Sequence, residues 1–164
     1  MIVWLIEGIL LLKIETAKTT VNMKCIEYNS GYKYQLKKTY TLEIEIKPSS
    51  PIDTEYIKLD TDGNLTMMEG YAWDGPSGPT IDTLTFMRGS LVHDTLYQLM
   101  REKKLDHDTY REAADRLLQK ICKEDGMCSL RAWWVYQGVR KFADPAADPA
   151  NKRPPVNAPE DCQP

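Results

Sequence analysis

His93, Asp94 and Tyr97 stand together in the run Ser90-Leu91-Val92-His93-Asp94-Thr95-Leu96-Tyr97, an H-D-x-x-Y spacing. On a helix, at about 100° per residue, His93 and Tyr97 share one face and Asp94 lies roughly a quarter-turn away. An imidazole, a carboxylate and a phenol so placed can hold and move a proton, and the carboxylate can also ligate a hard cation. A Gly/Pro-rich loop, Gly70-Tyr71-Ala72-Trp73-Asp74-Gly75-Pro76-Ser77-Gly78-Pro79, comes just before. Beside a hydrophobic stripe, His and Asp need polar partners, so this stretch builds either a site or a structural network.

A partner for His93 is predicted on the next helix. Asp115 borders that helix's apolar stripe and could reach across a helical hairpin. A carboxylate on one imidazole nitrogen fixes the tautomer and leaves the other nitrogen free as a general base. Asp94 and Asp74, with carbonyls of the loop from Gly75 to Gly78, could give oxygens to calcium or another hard divalent cation, which would polarise an ester or phosphoryl oxygen. The candidate catalytic residues are thus His93, Asp115 and Tyr97, and the candidate metal ligands Asp94 and Asp74. The same residues also admit a purely structural reading. His93 and Asp115 would satisfy each other between two helices, Asp74 would cap a loop or the next helix, and Tyr97 would bond the loop backbone. As one site, the five side chains should converge around one concavity, with base and orienter within about 3.2 Å.

Other chemistries are disfavoured. Two histidines cannot make a His-rich metal site, His107 reads as an exposed turn residue, and no nucleophile elbow supports a Ser-His-Asp assignment. The four cysteines contain no C-x-x-C pair, and Cys122 and Cys128 flank a turn where they could meet. A net charge of −3 argues against general nucleic-acid binding.

The positioning elements follow from periodicity. Tyr40, Leu42, Ile44 and Ile46 alternate with polar residues as a half-buried strand, and Thr61-Asp62-Gly63 marks a hairpin between 55–60 and 64–68. Shorter strands are predicted at 25–28 and 32–36, joined through Asn29-Ser30-Gly31. From Thr83 the period becomes helical: about 84–102, then a helix capped by Asp106 or Asp108 and closed at Asp125-Gly126, then one carrying Leu130, Trp133, Trp134, Tyr136, Val139 and Phe142, its aromatics read as core and interface packing. The predicted fold is α+β, an N-terminal antiparallel β-meander followed by a three-helix unit, with extended arms at both ends. Residues 1–22 form an apolar arm whose hydrophobic run is too short to span a bilayer and includes Glu7. Residues 23–143 form a single domain. Residues 144–164 hold six of the ten prolines and read as an extended tail. Both arms suit contacts with neighbouring chains.

The stretch from Trp73-Asp74-Gly75 through His93-Asp94-x-x-Tyr97, Ala114-Asp115 and Tyr136-x-Gly138-Val139-Arg140 resembles a family of unknown function, the one numbered 1353, carried by tailed phages and prophages. The resemblance covers about residues 24–143. It implies a phage or prophage origin and a place in a virion, with synthesis in the host cytoplasm. The two arms add the expectation of a tail or baseplate-associated role with other phage structural subunits as partners. More locally, H-D-x-x-Y on the first helix of a hairpin after a Gly-rich loop is similar to the secreted phospholipases A2. That similarity implies His93 as the base activating water, Asp94 as a calcium ligand and Tyr97 supporting Asp115. The flanking disulfide cysteines of those enzymes are absent here, and a β-meander precedes the helices. The expected function is a virion component working through subunit contacts, with a calcium-type hydrolase of host-envelope lipid or ester as the alternative.

Overall fold

A computed structural model describes residues 26–28, 33–75, 83–152, 154 and 156–158. The apolar arm expected at 1–22 lies outside these residues, as do Cys25 and Cys162. By its contacts the chain divides into two compact units, residues 1–27 with 157–164, and residues 28–156.

The sheet of the larger unit grows from alternation. β3 (Tyr40–Glu43), β4 (Ile52–Asp53), β5 (Ile57–Leu59) and β6 (Asn64–Met67) form one antiparallel sheet in the order β3-β6-β5-β4. Three consecutive strands run as a meander, and β3 adds to the free edge of β6 with Tyr40 opposite Met67. Ile44, Ile46, Ile52, Ile57, Leu59, Leu65 and Met67 are buried while the residues between them are mostly exposed, as period two requires. The hairpin turn is tied by the Asp60 carboxylate, which accepts from the backbone N–H of Asp62 and Asn64. Gly63 closes it at φ +93°, and a Cβ there would overlap the Ile44 carbonyl oxygen. Gly63→Ala is therefore expected to cost about 1–3 kcal/mol, read as a lower denaturation midpoint at unchanged slope. A control Asp62→Ala should stay within roughly 1 kcal/mol.

The short strands pair differently from the expected local hairpin. β2 (Tyr34–Gln35) pairs with β7 (Ala72–Trp73), and β1 (Ile26–Tyr28) pairs with β8 (Val156–Ala158). Tertiary partners far along the chain win here over the nearby Asn29-Ser30-Gly31 turn signal.

Three helices follow: α1 (Leu84–Arg101), α2 (His107–Glu124) and α3 (Ser129–Phe142). Asp106 caps α2, accepting from the Thr109 N–H at 2.7 Å, and Gly126 at φ +91° follows its end. Leu91, Val92, Leu96, Leu99 and Met100 of α1 share one core with the sheet residues. Gly89 lets α1 and α2 approach closely, since a Cβ there would lie 2.8 Å from Cys122 Sγ. Arg88 locks the same end, pairing with Asp125 and Glu124 and donating to the Tyr40 hydroxyl of β3.

Two expectations need correction. Of the residues read as packing on α3, Leu130, Trp133, Trp134 and Phe142 are 68%, 46%, 64% and 72% exposed, whereas Ala132 and Val135 are buried. Only one narrow stripe of α3 is covered, chiefly by α2, with smaller contributions from the short α4 and from Phe86 of α1. The tail, read as extended from residue 144, instead begins with α4 (Asp144–Ala147) and a 3-10 turn at Pro149–Asn151. Ala147 is fully buried and Arg101 Nη1 donates to the Ala146 carbonyl. Pro145 and Pro149 occupy first-turn positions, where a missing N–H costs no helical hydrogen bond.

Candidate functional site

The site is assembled by the α1–α2 hairpin. Its connection is short, so the helices run antiparallel, and the Gly89 contact sets their separation one turn before His93. His93 Nε2–H donates to Asp115 Oδ1 at 2.7 Å. The Tyr97 hydroxyl donates to the same oxygen, also at 2.7 Å. Arg140 Nη1 of α3 donates to Oδ2 at 3.0 Å. The Asp115 carboxylate therefore has both oxygens engaged, with no water-exposed surface of its own. The His93 and Tyr97 rings stack at 4.0 Å between centroids, as expected for i, i+4 on one face.

A second arginine supports the first. Arg111 of α2 donates to the carbonyls of Val139 and Arg140 at the end of α3, pairs with Asp144 at 2.8 Å, and reaches the Tyr97 hydroxyl at 3.4 Å. It gives the Arg140 carbonyl a donor and adds a second to the Val139 carbonyl, which already accepts from the Ala143 N–H, and so ties down the part of α3 that presents Arg140.

Asp94 sits with its carboxylate 3.9 Å from His93 Nδ1, beyond hydrogen-bonding distance. Among the described residues, the one fully buried side-chain nitrogen or oxygen without a hydrogen-bond partner is His107 Nε2. His93 is 5% exposed, and none of the hydrogen bonds among the described residues engages its Nδ1. His107 itself opens α2 and is partly buried, 3.4 Å from Asp144, where an exposed turn residue was expected.

Burial presses His93 toward the neutral form, but the Asp115 and Asp94 carboxylates outweigh it and raise the imidazole above its ordinary value. Burial also opposes ionisation of Asp115, yet His93, Tyr97 and Arg140 hold it below the usual carboxylate range. Burial and the Asp115 charge push the Tyr97 phenol up, so it acts as a hydrogen-bond donor across the physiological range. The Cys122 thiol is pushed up to about 12, chiefly by burial, which leaves it inert as a nucleophile. Cys122 is buried, Cys128 is exposed, and the two do not pair.

Of the residues picked out by sequence, the structure brings together His93, Tyr97 and Asp115, with Asp94 at their edge. Asp74 is exposed just after β7, and the hydrogen bonds of this network do not include it. Among the described residues no three His, Cys, Asp or Glu side chains are grouped as a cation site needs. The described side chains alone therefore do not compose a calcium site. Its remaining oxygens would have to come from carbonyls of residues 75–78, of which 76–78 lie outside the described residues. Arg140 and Arg111 were missed. Arg140 did carry a signal, standing in the Tyr136-x-Gly138-Val139-Arg140 motif, whereas nothing in the local pattern around Arg111 marks it.

A family model described as Protein of unknown function (DUF1353) matches residues 52–139, more than half of the chain. The chain belongs to this family. The DUF1353 match runs from β4 to the last turn but one of α3, so it contains His93, Asp94, Tyr97 and Asp115 and stops one residue before Arg140. No curated protein and no solved structure matches the chain. Among the described residues, no helix is long and apolar enough to cross a membrane.

Proposed function

We propose that this chain hydrolyses an ester of the host envelope, with His93 as general base, as a component of a tailed-phage particle. The observation that supports the chemistry is the double use of Asp115 Oδ1. It accepts from His93 Nε2–H and from the Tyr97 hydroxyl at the same distance of 2.7 Å. That arrangement holds the imidazole in one tautomer and leaves Nδ1 as its basic nitrogen.

The reaction follows from that geometry. Neutral His93 takes a proton from water at Nδ1 as the water oxygen bonds to the ester carbonyl carbon. The imidazolium formed is stabilised by the ionised Asp115 at Nε2. When the tetrahedral intermediate collapses, the C–O bond to the alcohol breaks, and Nδ1–H returns its proton to the departing oxygen. Tyr97 and Arg140 are positioning residues, since they touch Asp115 and not the reacting atoms. Asp94, 3.9 Å from Nδ1, would be a ligand to a hard cation at this site, which would supply polarisation of the ester carbonyl.

Residence in the particle rests on the resemblance of the Trp73 to Arg140 motifs to a family carried by tailed phages and prophages, and on the two terminal arms. Residues 1–22 and the end of the 144–164 segment would contact neighbouring subunits, while residues 144–151 pack on the chain's own α1. The test is fatty-acid release from phosphatidylglycerol and phosphatidylethanolamine vesicles, with calcium and with chelator, for wild type and His93→Ala. Release by wild type that disappears in a folded His93→Ala chain is the expected result. Equal release by both chains, or none in either condition, overturns the catalytic reading. Absence of the chain from purified particles overturns its place there.

A further inference from the structure

The outer face of α3 has no partner in the described structure. Taking the helix at about 100° per residue, Leu130, Trp133, Trp134, Gln137 and Lys141 fall within roughly a third of its circumference. Ala132, Val135 and Val139 fall opposite, where α2 covers them. The two tryptophans touch edge to face at 5.4 Å, and Lys141 Nζ lies 5.3 Å from the Phe142 ring centre. Exposed singly, an apolar residue needs no explanation. Two adjoining indoles and a leucine on one helix face do.

We propose that this face docks on an anionic lipid surface. Two properties select that partner. The first is charge: the one charged side chain on this face is the cation Lys141, on a helix with no Asp or Glu, in a chain of net charge −3. The second is the mixture of side chains. Indoles and a lysine on one outward face suit the boundary between headgroups and acyl chains, with rings at the interface and the ammonium reaching up to phosphate.

A second copy of the chain fits less well, since isologous pairing of this face would set Lys141 and the helix's other cations against their own likes. A nucleic acid would find stacking surfaces but no use for Leu130 and no basic groove. The inference deepens the proposed lipid hydrolysis by naming the surface that meets the substrate layer, and it rests on that reading for its biological sense. Trp133 stands two turns before Arg140 on one stripe of α3, and Arg140 bonds Asp115, so the docking face adjoins the helix edge that supports the site.

The experiment is sedimentation of the full chain with phosphatidylglycerol vesicles, phosphatidylcholine vesicles and a single-stranded oligonucleotide. It compares wild type, Trp133→Ser/Trp134→Ser, Lys141→Glu and His93→Ala. Wild type and His93→Ala should bind phosphatidylglycerol vesicles alike, so binding is read independently of turnover. The paired serine substitution should weaken partition by at least about tenfold, and Lys141→Glu by about fivefold, with loss at high salt. The exposed positions leave the core untouched, which circular dichroism checks. Binding that survives the paired substitution, binding indifferent to lipid charge, binding to the oligonucleotide instead, or a dimer abolished by the same substitutions overturns the proposal.

Discussion

Asp115→Ala is expected to cost about 3–5 kcal/mol of folding stability, the cost of breaking a buried charged network from its acceptor side. The substitution removes both oxygens at once. His93 Nε2–H and the Tyr97 hydroxyl lose their shared acceptor in the interior, and Arg140 loses the carboxylate that compensates its charge. His93→Ala is milder, about 1–3 kcal/mol, because Asp115 keeps Tyr97 and Arg140 as donors. Urea denaturation of the two variants should show this order. If Asp115→Ala falls within roughly 0.5 kcal/mol of wild type, the network is not what joins the helices.

Hydrolysis should fall by about 10²–10⁴-fold in His93→Ala, and in wild type it should rise with pH along a limb displaced to the alkaline side of an ordinary histidine. The sign follows from the direction of the shift. A base must be neutral to accept a proton, and the Asp115 and Asp94 carboxylates raise His93 against the opposing effect of burial. Asp115→Asn keeps an acceptor for Nε2–H but removes a charge, so its limb should move to lower pH while the rate above it drops. A limb that stays where it was would show that His93 is not the base whose titration it reports.

The same shifts act on stability in the opposite sense. The raised His93 contributes fully below its unfolded value of about 6.5 and fades as pH rises through the folded one. The lowered Asp115 contributes above about 3.9 and fades as pH falls through its folded value. The pair stabilises most between those limits, on the acid side of the range in which His93 can act as a base.

What the sequence disclosed was what local spacing controls. The i, i+4 relation of His93 and Tyr97, the α2 cap at one of two candidate aspartates, the Gly126 stop and the Thr61-Asp62-Gly63 turn are decided within a few residues, and each stands where the pattern put it. The His93–Asp115 approach needed one further inference, that a short connection makes a hairpin. Pairings of β1 with β8 and of β2 with β7 depend on partners tens of residues away, and the Asn29-Ser30-Gly31 signal pointed to a closer one. Arg140 lay in a visible motif, but its role depends on how α3 crosses α2, which periodicity does not encode. The aromatic content of α3 suggested burial because apolar type was read without knowing how few elements would remain to cover that helix. Membership in the DUF1353 family agrees with the resemblance carried by the H-D-x-x-Y and Ala114-Asp115 motifs, over the narrower span 52–139.

Arg140 also sets a timetable. The helical hairpin can close as soon as residue 124 is made, since its contacts are local and its connection is short. At that stage Asp115 would enter the interior with one oxygen still unanswered, which its desolvation penalises. Only when the chain has grown about two turns beyond Ala132 does the guanidinium arrive. Synthesis from the N-terminus therefore leaves the hairpin provisional until α3 is nearly complete, and the polar centre serves as the latch that makes its closure final.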